Sequence, residues 1–131
     1  MPARIRKRDK GFNQIKSRLV RLKRHPVSMT VGVHNDVEPY PNGTEVWLVA
    51  MIHEFGLGVP ARPFIRPVFD ANSASHRAML RRVAEAAVRA GIDPAVALKE
   101  VGKRLVKQMR QLAPVDTGRL KRSIEARVVS K

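Results

Sequence analysis

At 131 residues, the chain is long enough for one domain with a modest hydrophobic core. It contains no cysteine, which excludes disulfides and thiolate-bound metals and fits synthesis in a reducing cytosol. No apolar run reaches the roughly 20 residues that a membrane-spanning helix requires, so we expect no membrane contact.

The net charge of +15 is concentrated at both ends of the chain. Residues 1–24 carry a net charge of +9 and residues 99–131 carry +7, whereas residues 25–98 carry −1. Cations this dense repel one another unless a polyanion screens them, which favours contact with nucleic-acid phosphates over the alternative of solvated basic tails. The cations expected to face nucleic acid are Arg4, Arg6, Lys7, Arg8, Lys10, Lys16, Arg18, Arg21, Lys23 and Arg24.

The first regular element predicted is a short amphipathic helix. Phe12, Ile15, Leu19 and Leu22 recur at helical spacing, with basic residues on the other side. The helix should end at His25-Pro26, because proline disfavours the α conformation in the residue before it.

A strand and an ambiguous apolar segment follow. Alternating apolar residues predict a half-buried strand over residues 28–34, and a turn-forming Asn-Gly pair with two prolines marks residues 35–43 as a loop. Residues 45–54 are so apolar that periodicity cannot separate a buried strand from a buried helix. Thr44 as a candidate N-cap and the helix-favouring residues after it lead us to predict a helix.

Two long helices are predicted in the second half of the chain. Pro67 fits the first turn of a helix that runs to Ala90, with Gly91 as its C-terminal stop. Asp93-Pro94 has the form of an N-cap followed by a first helical residue, and this second helix should reach Leu112.

These elements predict an α+β fold: a small antiparallel sheet packed against two long helices, with an appended basic N-terminal helix. The sheet would pair residues 28–34 with 123–129, and the helices at 67–90 and 94–112 would pack on it. The chain would divide into a basic N-terminal extension with its amphipathic helix, residues 1–26, and an α+β domain, residues 27–131.

The sequence offers no catalytic, cofactor or metal site. His53-Glu54 begins like a zinc-protease motif, but the second histidine is missing. Asp116, Thr117 and Gly118 lack a glycine-rich phosphate cradle and are expected to form a structural turn instead. We therefore predict that the protein is not an enzyme and binds no cofactor.

A proline-rich connector is the most distinctive segment. Ile52-His53-Glu54-Phe55-Gly56 is followed closely by Pro60-Ala61-Arg62-Pro63-Phe64-Ile65-Arg66-Pro67. Each proline fixes φ and removes a backbone donor, so the two arginines are held at a set separation. Rigid arginine-bearing segments suit assembly against other chains better than catalysis.

The connector resembles a segment of the virion morphogenesis proteins of tailed bacteriophages. Two other parts of the chain share this resemblance: Val31-Gly32-Val33, and Ala113-Pro114-Val115-Asp116-Thr117-Gly118-Arg119-Leu120 with Ser123-Ile124. These proteins are neck and tail-completion components. The resemblance implies a non-enzymatic structural protein that joins or completes the head–tail connection as a homo-oligomeric ring around the DNA channel. It also implies contacts with neighbouring neck and tail proteins, and a place in the virion after synthesis in the host cytoplasm. Contact with packaged double-stranded DNA would be non-specific.

Two further points stay open at the level of sequence. The oligomer interface is expected to include Glu54, Phe55, Arg62, Phe64 and Arg66, with both arginines paired to a neighbour's carboxylates and Phe64 in its apolar pocket. Alternatively, Phe64 packs in its own core and the arginines cap local carbonyls. The competing function is a non-specific nucleic-acid-binding protein that acts through its basic ends.

Overall fold

The computed structural model describes residues 11–115 and 117–130, and in these residues the chain forms six helices and a two-stranded antiparallel sheet. This confirms the predicted α+β class. The helices are α1 (Phe12–Arg24), α2 (Val46–Phe55), α3 (Arg66–Ala71), α4 (Ser73–Ala90), α5 (Pro94–Leu112) and α6 (Arg119–Ser123); the strands are β1 (Val27–Val33) and β2 (Ile124–Ser130).

The two strands pair along their whole lengths. The register runs from Val27 opposite Ser130 to Val33 opposite Ile124, so the two predicted strand segments do pair with each other. Arg127 on β2 links the sheet to the loop that follows β1. Its guanidinium donates hydrogen bonds to both carboxylate oxygens of Asp36 at 2.7 and 2.8 Å. These hydrogen bonds hold the pKa of Asp36 below its usual range.

Helix α5 is the element that packs across both strands. It begins where the sequence predicted, because the Asp93 side chain accepts a hydrogen bond from the Ala95 N–H at 2.9 Å and Pro94 occupies the first turn. Its apolar side is buried at Leu98, Val101, Leu105 and Met109, whereas Leu112 is exposed.

The prediction of one helix over 67–90 was wrong in one respect. Asn72, with φ of −129° and ψ of 30°, interrupts the helix and separates α3 from α4. Asparagine and serine side chains bond to nearby backbone and favour helix ends over helix interiors, which accounts for a break at Asn72-Ser73. The predicted end is correct, since Gly91 follows Ala90 with φ of 68°.

The packing of the predicted long helices also differs from the prediction. Helix α4 packs mainly on α5 and α1, so α5 alone of the two provides the main cover of the sheet.

Thr44 is not the N-cap of α2; that position is Glu45, which makes no side-chain capping bond. The core joins α2, α3 and the connector to α5 and β2; its fully buried side chains are Val46, Phe64, Met109 and Ile124.

Gly102 allows α5 to approach the sheet closely, which gives a testable prediction. A Cβ at this position would lie 2.7 Å from the Ala126 Cβ and 2.7 Å from the Met29 Sδ. Replacing a helical glycine by alanine normally stabilises a helix by about 1 kcal/mol. We expect Gly102→Ala to lower the free energy of unfolding instead, by about 1–3 kcal/mol, because helix and strand must separate. Urea unfolding measures it, and Lys103→Ala, on the exposed side, serves as a control.

Candidate assembly surface

Glu54 holds the connector against α2. The carboxylate Oε2 accepts hydrogen bonds from the backbone N–H groups of Phe64 and Ile65 at 2.8 and 3.1 Å. Its Oε1 accepts from the backbone N–H of Arg66 at 2.8 Å and from the Arg66 Nε at 3.2 Å, and the Arg66 guanidinium also donates to the Glu54 carbonyl. We call this arrangement of Glu54 with residues 64–66 the Glu54 clasp.

The Glu54 clasp keeps a buried carboxylate ionised. Burial alone would raise the pKa of Glu54, but the backbone N–H groups of Arg66, Phe64 and Ile65 and the Arg66 side chain outweigh it, and the pKa lies below its ordinary value. Glu54 is the one charged residue buried among the residues that the structure describes. Its role in the folded chain is therefore to accept the donors of the connector.

The turn between α2 and the connector requires glycine. Gly56 ends α2 with φ of 67°, and a Cβ there would lie 3.0 Å from the Ala61 Cβ. The Arg62 backbone N–H donates to the His53 carbonyl at 2.8 Å, which closes the loop onto the end of α2. The order of residues in this motif is thus explained by one folded unit. The helix ends at Gly56 in the left-handed conformation, and the chain then turns back so that three backbone N–H groups reach the Glu54 carboxylate.

The structure places the five predicted interface residues in two groups. Glu54 and Phe64 are buried within the chain, so Phe64 packs in its own core, as in the alternative reading of the sequence. Phe55, Arg62 and Arg66 are exposed. The Arg66 guanidinium lies 4.8 Å from the centroid of the Phe55 ring, a cation–π contact at the surface. A neighbour could therefore contact the exposed group but not the buried one.

Sequence reasoning missed a larger surface beside this motif. Helix α2 buries only Val46, Ala50 and Glu54. Its other side exposes four large side chains spaced at helical intervals, and the exposed fractions reach 43% for Met51 and 54% for Phe55. We call this set the α2 apolar face; it consists of Trp47, Leu48, Met51 and Phe55.

The α2 apolar face continues into its surroundings. Leu57 and Val59, in the turn after α2, are also exposed. A cavity of about 400 Å³ lies beside the helix and is lined in part by Val33, Trp47 and Ile65. The signal in the sequence was the apolar composition on all sides of residues 46–52, which is typical of a helix that is buried on all sides in the finished structure.

The segment predicted as a structural turn lies at a second cavity. Asp116 is outside the described residues. The Thr117 Oγ1 accepts from the Arg119 N–H at 3.3 Å, and Gly118 precedes α6 with φ of 82°. The cavity, of about 330 Å³, is bordered by residues of this turn together with His53 and Arg62. The segments that contain His53, Arg62 and Thr117, all parts of the resemblance, therefore border the same cavity.

The predicted nucleic-acid-facing cations fall into two sets. Five lie outside the described residues: Arg4, Arg6, Lys7, Arg8 and Lys10. The other five lie on α1, where Lys16, Arg21, Lys23 and Arg24 are exposed. Arg18 differs, because its guanidinium donates to the carbonyls of Val88 and Arg89 at 3.4 and 2.9 Å. A cation at the carbonyl end of α4 complements the helix dipole, so Arg18 attaches α1 to the domain.

A second basic surface lies on α5. Lys99, Lys103, Lys107 and Arg110 line a groove between this helix and the start of β2. Part of this charge is offset, since the Lys103 Nζ lies 2.9 Å from a Glu100 carboxylate oxygen. Across the described residues, no group of three or more histidine or acidic side chains has the arrangement of a metal site, and no helix is long and apolar enough to span a membrane.

Comparison with known proteins gave one finding. Residues 76–131 match the sequence model of a family described as "Bacteriophage HK97-gp10, putative tail-component". The matched region begins within α4, includes α5 and α6, and extends over β2. No curated protein and no solved structure gives a significant match to the chain. The match confirms the resemblance to a structural family of tailed phages, at the level of a tail component.

Proposed function

We propose, on the premise that residues 76–131 resemble a phage tail component, that the chain is a structural subunit of a tailed-phage virion. It acts at the head–tail junction, where copies of the chain form a ring around the DNA channel and join or complete the connection. Its partners are other copies of itself and neighbouring neck and tail proteins.

The α2 apolar face is the observation that supports this role. Soluble monomers rarely expose a contiguous group of large apolar side chains, and such groups mark interaction sites. Trp47, Met51 and Phe55 are also of the residue types enriched at the centres of protein interfaces. Covering them with a neighbouring chain gains about 25 cal/mol for each Å² of apolar surface removed from water.

The Glu54 clasp prepares this surface for binding. Because the connector is fixed to α2 by four hydrogen bonds to one carboxylate, Arg66 and Phe55 keep their relative positions before a partner arrives. A surface ordered in advance loses less conformational entropy on association. We assign no catalytic role to Glu54, since backbone donors occupy both of its carboxylate oxygens.

A second candidate function is non-specific binding of DNA phosphates. It is favoured by the charge on α1, which carries five cations and no acid. Among the ion pairs within residues 11–115 and 117–130, none involves α1. The two candidates differ in oligomeric state: a structural subunit forms a ring and is found in particles, whereas a simple DNA-binding protein is a monomer in solution.

Native mass spectrometry of the purified chain tests the structural role. We expect a closed oligomer whose mass is a whole multiple of 14.7 kDa, and peptides of the chain in the digest of purified particles. A monomer at all concentrations, together with absence from particles, would contradict the proposal.

Trp47→Asp tests the surface itself. A carboxylate placed in the α2 apolar face would be buried without a partner on assembly, at a cost of several kcal/mol. We expect this variant to fold, to remain monomeric and to be absent from particles. The control is Leu80→Asp, at an exposed apolar position on α4, which should assemble like the parent. Normal assembly of Trp47→Asp would remove α2 from the interface.

A further inference from the structure

Helix α1 has an apolar side that its own chain leaves open. Phe12, Ile15 and Leu19 lie along one stripe and are 67%, 39% and 55% exposed, and α1 has no buried residue. The helix packs on α4. Its amphipathic pattern is therefore only partly used within the chain, since the apolar stripe of such a helix normally faces a core.

The position of α1 is nevertheless fixed. Besides its hydrogen bonds to the end of α4, Arg18 lies against Gly91, where an added Cβ would come within 3.1 Å of the guanidinium. The side chain thus fits into a space that a larger residue at position 91 would fill. Anchored in this way, α1 presents its apolar stripe in a set direction.

The α1 stripe and the α2 apolar face lie on different parts of the molecule. Helix α2 contacts α6 and β1, whereas α1 contacts α4. Two different complementary patches on one subunit are what a head-to-tail contact requires, and repetition of that contact closes a ring when the rotation fits. The two apolar surfaces are also of similar length, because residues 12–19 and 47–55 extend over about 11 and 12 Å along their helices.

The two segments that carry these surfaces have opposite net charge. Residues 11–26 have five cations and no acid, whereas residues 27–71 have five acids and two cations. Asp36 and Glu54 are paired within the chain. The remaining acids are Glu38, Glu45 and Asp70, and Glu45 stands directly before the α2 apolar face. A basic helix that approaches the start of α2 therefore meets Glu45, whereas Arg66 lies at the other end of the face beside Phe55. This distribution of charge steers association and fixes its orientation.

We propose that α1 of one copy packs its apolar stripe on the α2 apolar face of the next copy. The inference rests on the proposed function and specifies the contact that builds the ring. It gives a role to the predicted division of the chain at residue 26: α1 reaches the neighbouring copy, and the elements from β1 to β2 form the body that receives it.

Mixing two assembly-defective variants tests this contact. One carries Ile15→Asp with Leu19→Asp, which breaks only the α1 stripe. The other carries Leu48→Lys with Met51→Lys, which breaks only the α2 apolar face and adds charge of the same sign as α1. All four positions are exposed, so both variants should fold, and circular dichroism checks this. Each alone should be monomeric. Mixed in equal amounts they should form a two-chain species and stop there, because one intact contact remains between unlike copies.

Other results would overturn the inference in distinguishable ways. Assembly of the α1 variant alone would show that α2 faces pair with each other, and assembly of the α2 variant alone would show that α1 pairs with α1. A mixture that stays monomeric would also contradict the contact. If the unmodified chain is itself monomeric and is absent from particles, the proposed function fails together with the inference, whereas a normal ring with a failed mixture removes only the inference.

Cross-linking provides a measurement that does not depend on disruptive substitutions. The chain has no cysteine, so Leu19→Cys and Met51→Cys introduce the only thiols. Oxidation of the double variant should produce a ladder of covalent multimers. A mixture of the two single variants should give dimers that contain one copy of each. Dimers of like copies only would contradict the head-to-tail arrangement.

Discussion

Glu54→Gln is expected to lower the free energy of unfolding by about 3 kcal/mol. An amide has one acceptor oxygen, so at least one oxygen position that now receives backbone N–H groups would carry an NH₂ donor instead. The N–H groups of Phe64 and Ile65, or that of Arg66, would then lack an acceptor at a buried site. The Arg66 guanidinium would lose its carboxylate partner as well.

The same substitution should change the dependence of stability on pH. Because the folded chain lowers the pKa of Glu54, the ionised carboxylate stabilises the fold above the ordinary glutamate pKa of about 4.3. That contribution is lost as the pH falls through the folded pKa. We therefore expect the difference in unfolding free energy between the parent and Glu54→Gln to be constant near neutrality and to shrink below about pH 4.

Urea unfolding over a series of pH values checks both parts of this prediction. The matched control is Glu100→Gln, which removes an exposed carboxylate that pairs with Lys103 and should change stability by less than about 1 kcal/mol. A Glu54→Gln variant as stable as the parent would show that the Glu54 clasp does not hold the connector. A difference independent of pH would show that shape, and not charge, accounts for the loss.

The parts of the fold that follow local rules were predictable from the sequence. Alternation gave β1, and Asp93-Pro94 gave the start of α5, because a cap bond depends on adjacent residues alone. The break at Asn72 was missed, since the apolar pattern continues on both sides of it. The choice of helix for residues 45–54 was correct, although composition alone left it open.

The candidate surface was less predictable because it depends on contacts distant in sequence. The connector was singled out for its prolines and arginines, yet Phe64 lies in the core and Arg66 serves the Glu54 clasp. Glu54 could have been suspected, since a carboxylate at the end of an apolar run needs donors if it is buried. The attachment of Arg18 to α4, 71 residues away, left no local signal.

Neutralising the basic start of the chain is expected to weaken binding to duplex DNA by about a hundredfold or more at 50 mM salt. The change replaces Arg4, Arg6, Lys7, Arg8 and Lys10 by glutamine and leaves α1 intact, so assembly is preserved. Each phosphate contact contributes about 0.9 to the slope of log K against log salt concentration, and loss of five contacts should reduce the slope by about 4 to 5 per chain.

The groove on α5 supplies the control for this measurement. The control variant replaces three clustered cations by glutamine: Lys99, Lys103 and Lys107. Lys103 already has an acidic neighbour in Glu100, and a solvated helix face is the simpler explanation for the whole set. We expect this variant to change the slope by less than about 1. Fluorescence anisotropy at several salt concentrations distinguishes the two variants. The reverse result would place the DNA at α5 and leave the N-terminal cations to contact protein, because the variant that flattens the salt dependence is the one that has lost phosphate contacts.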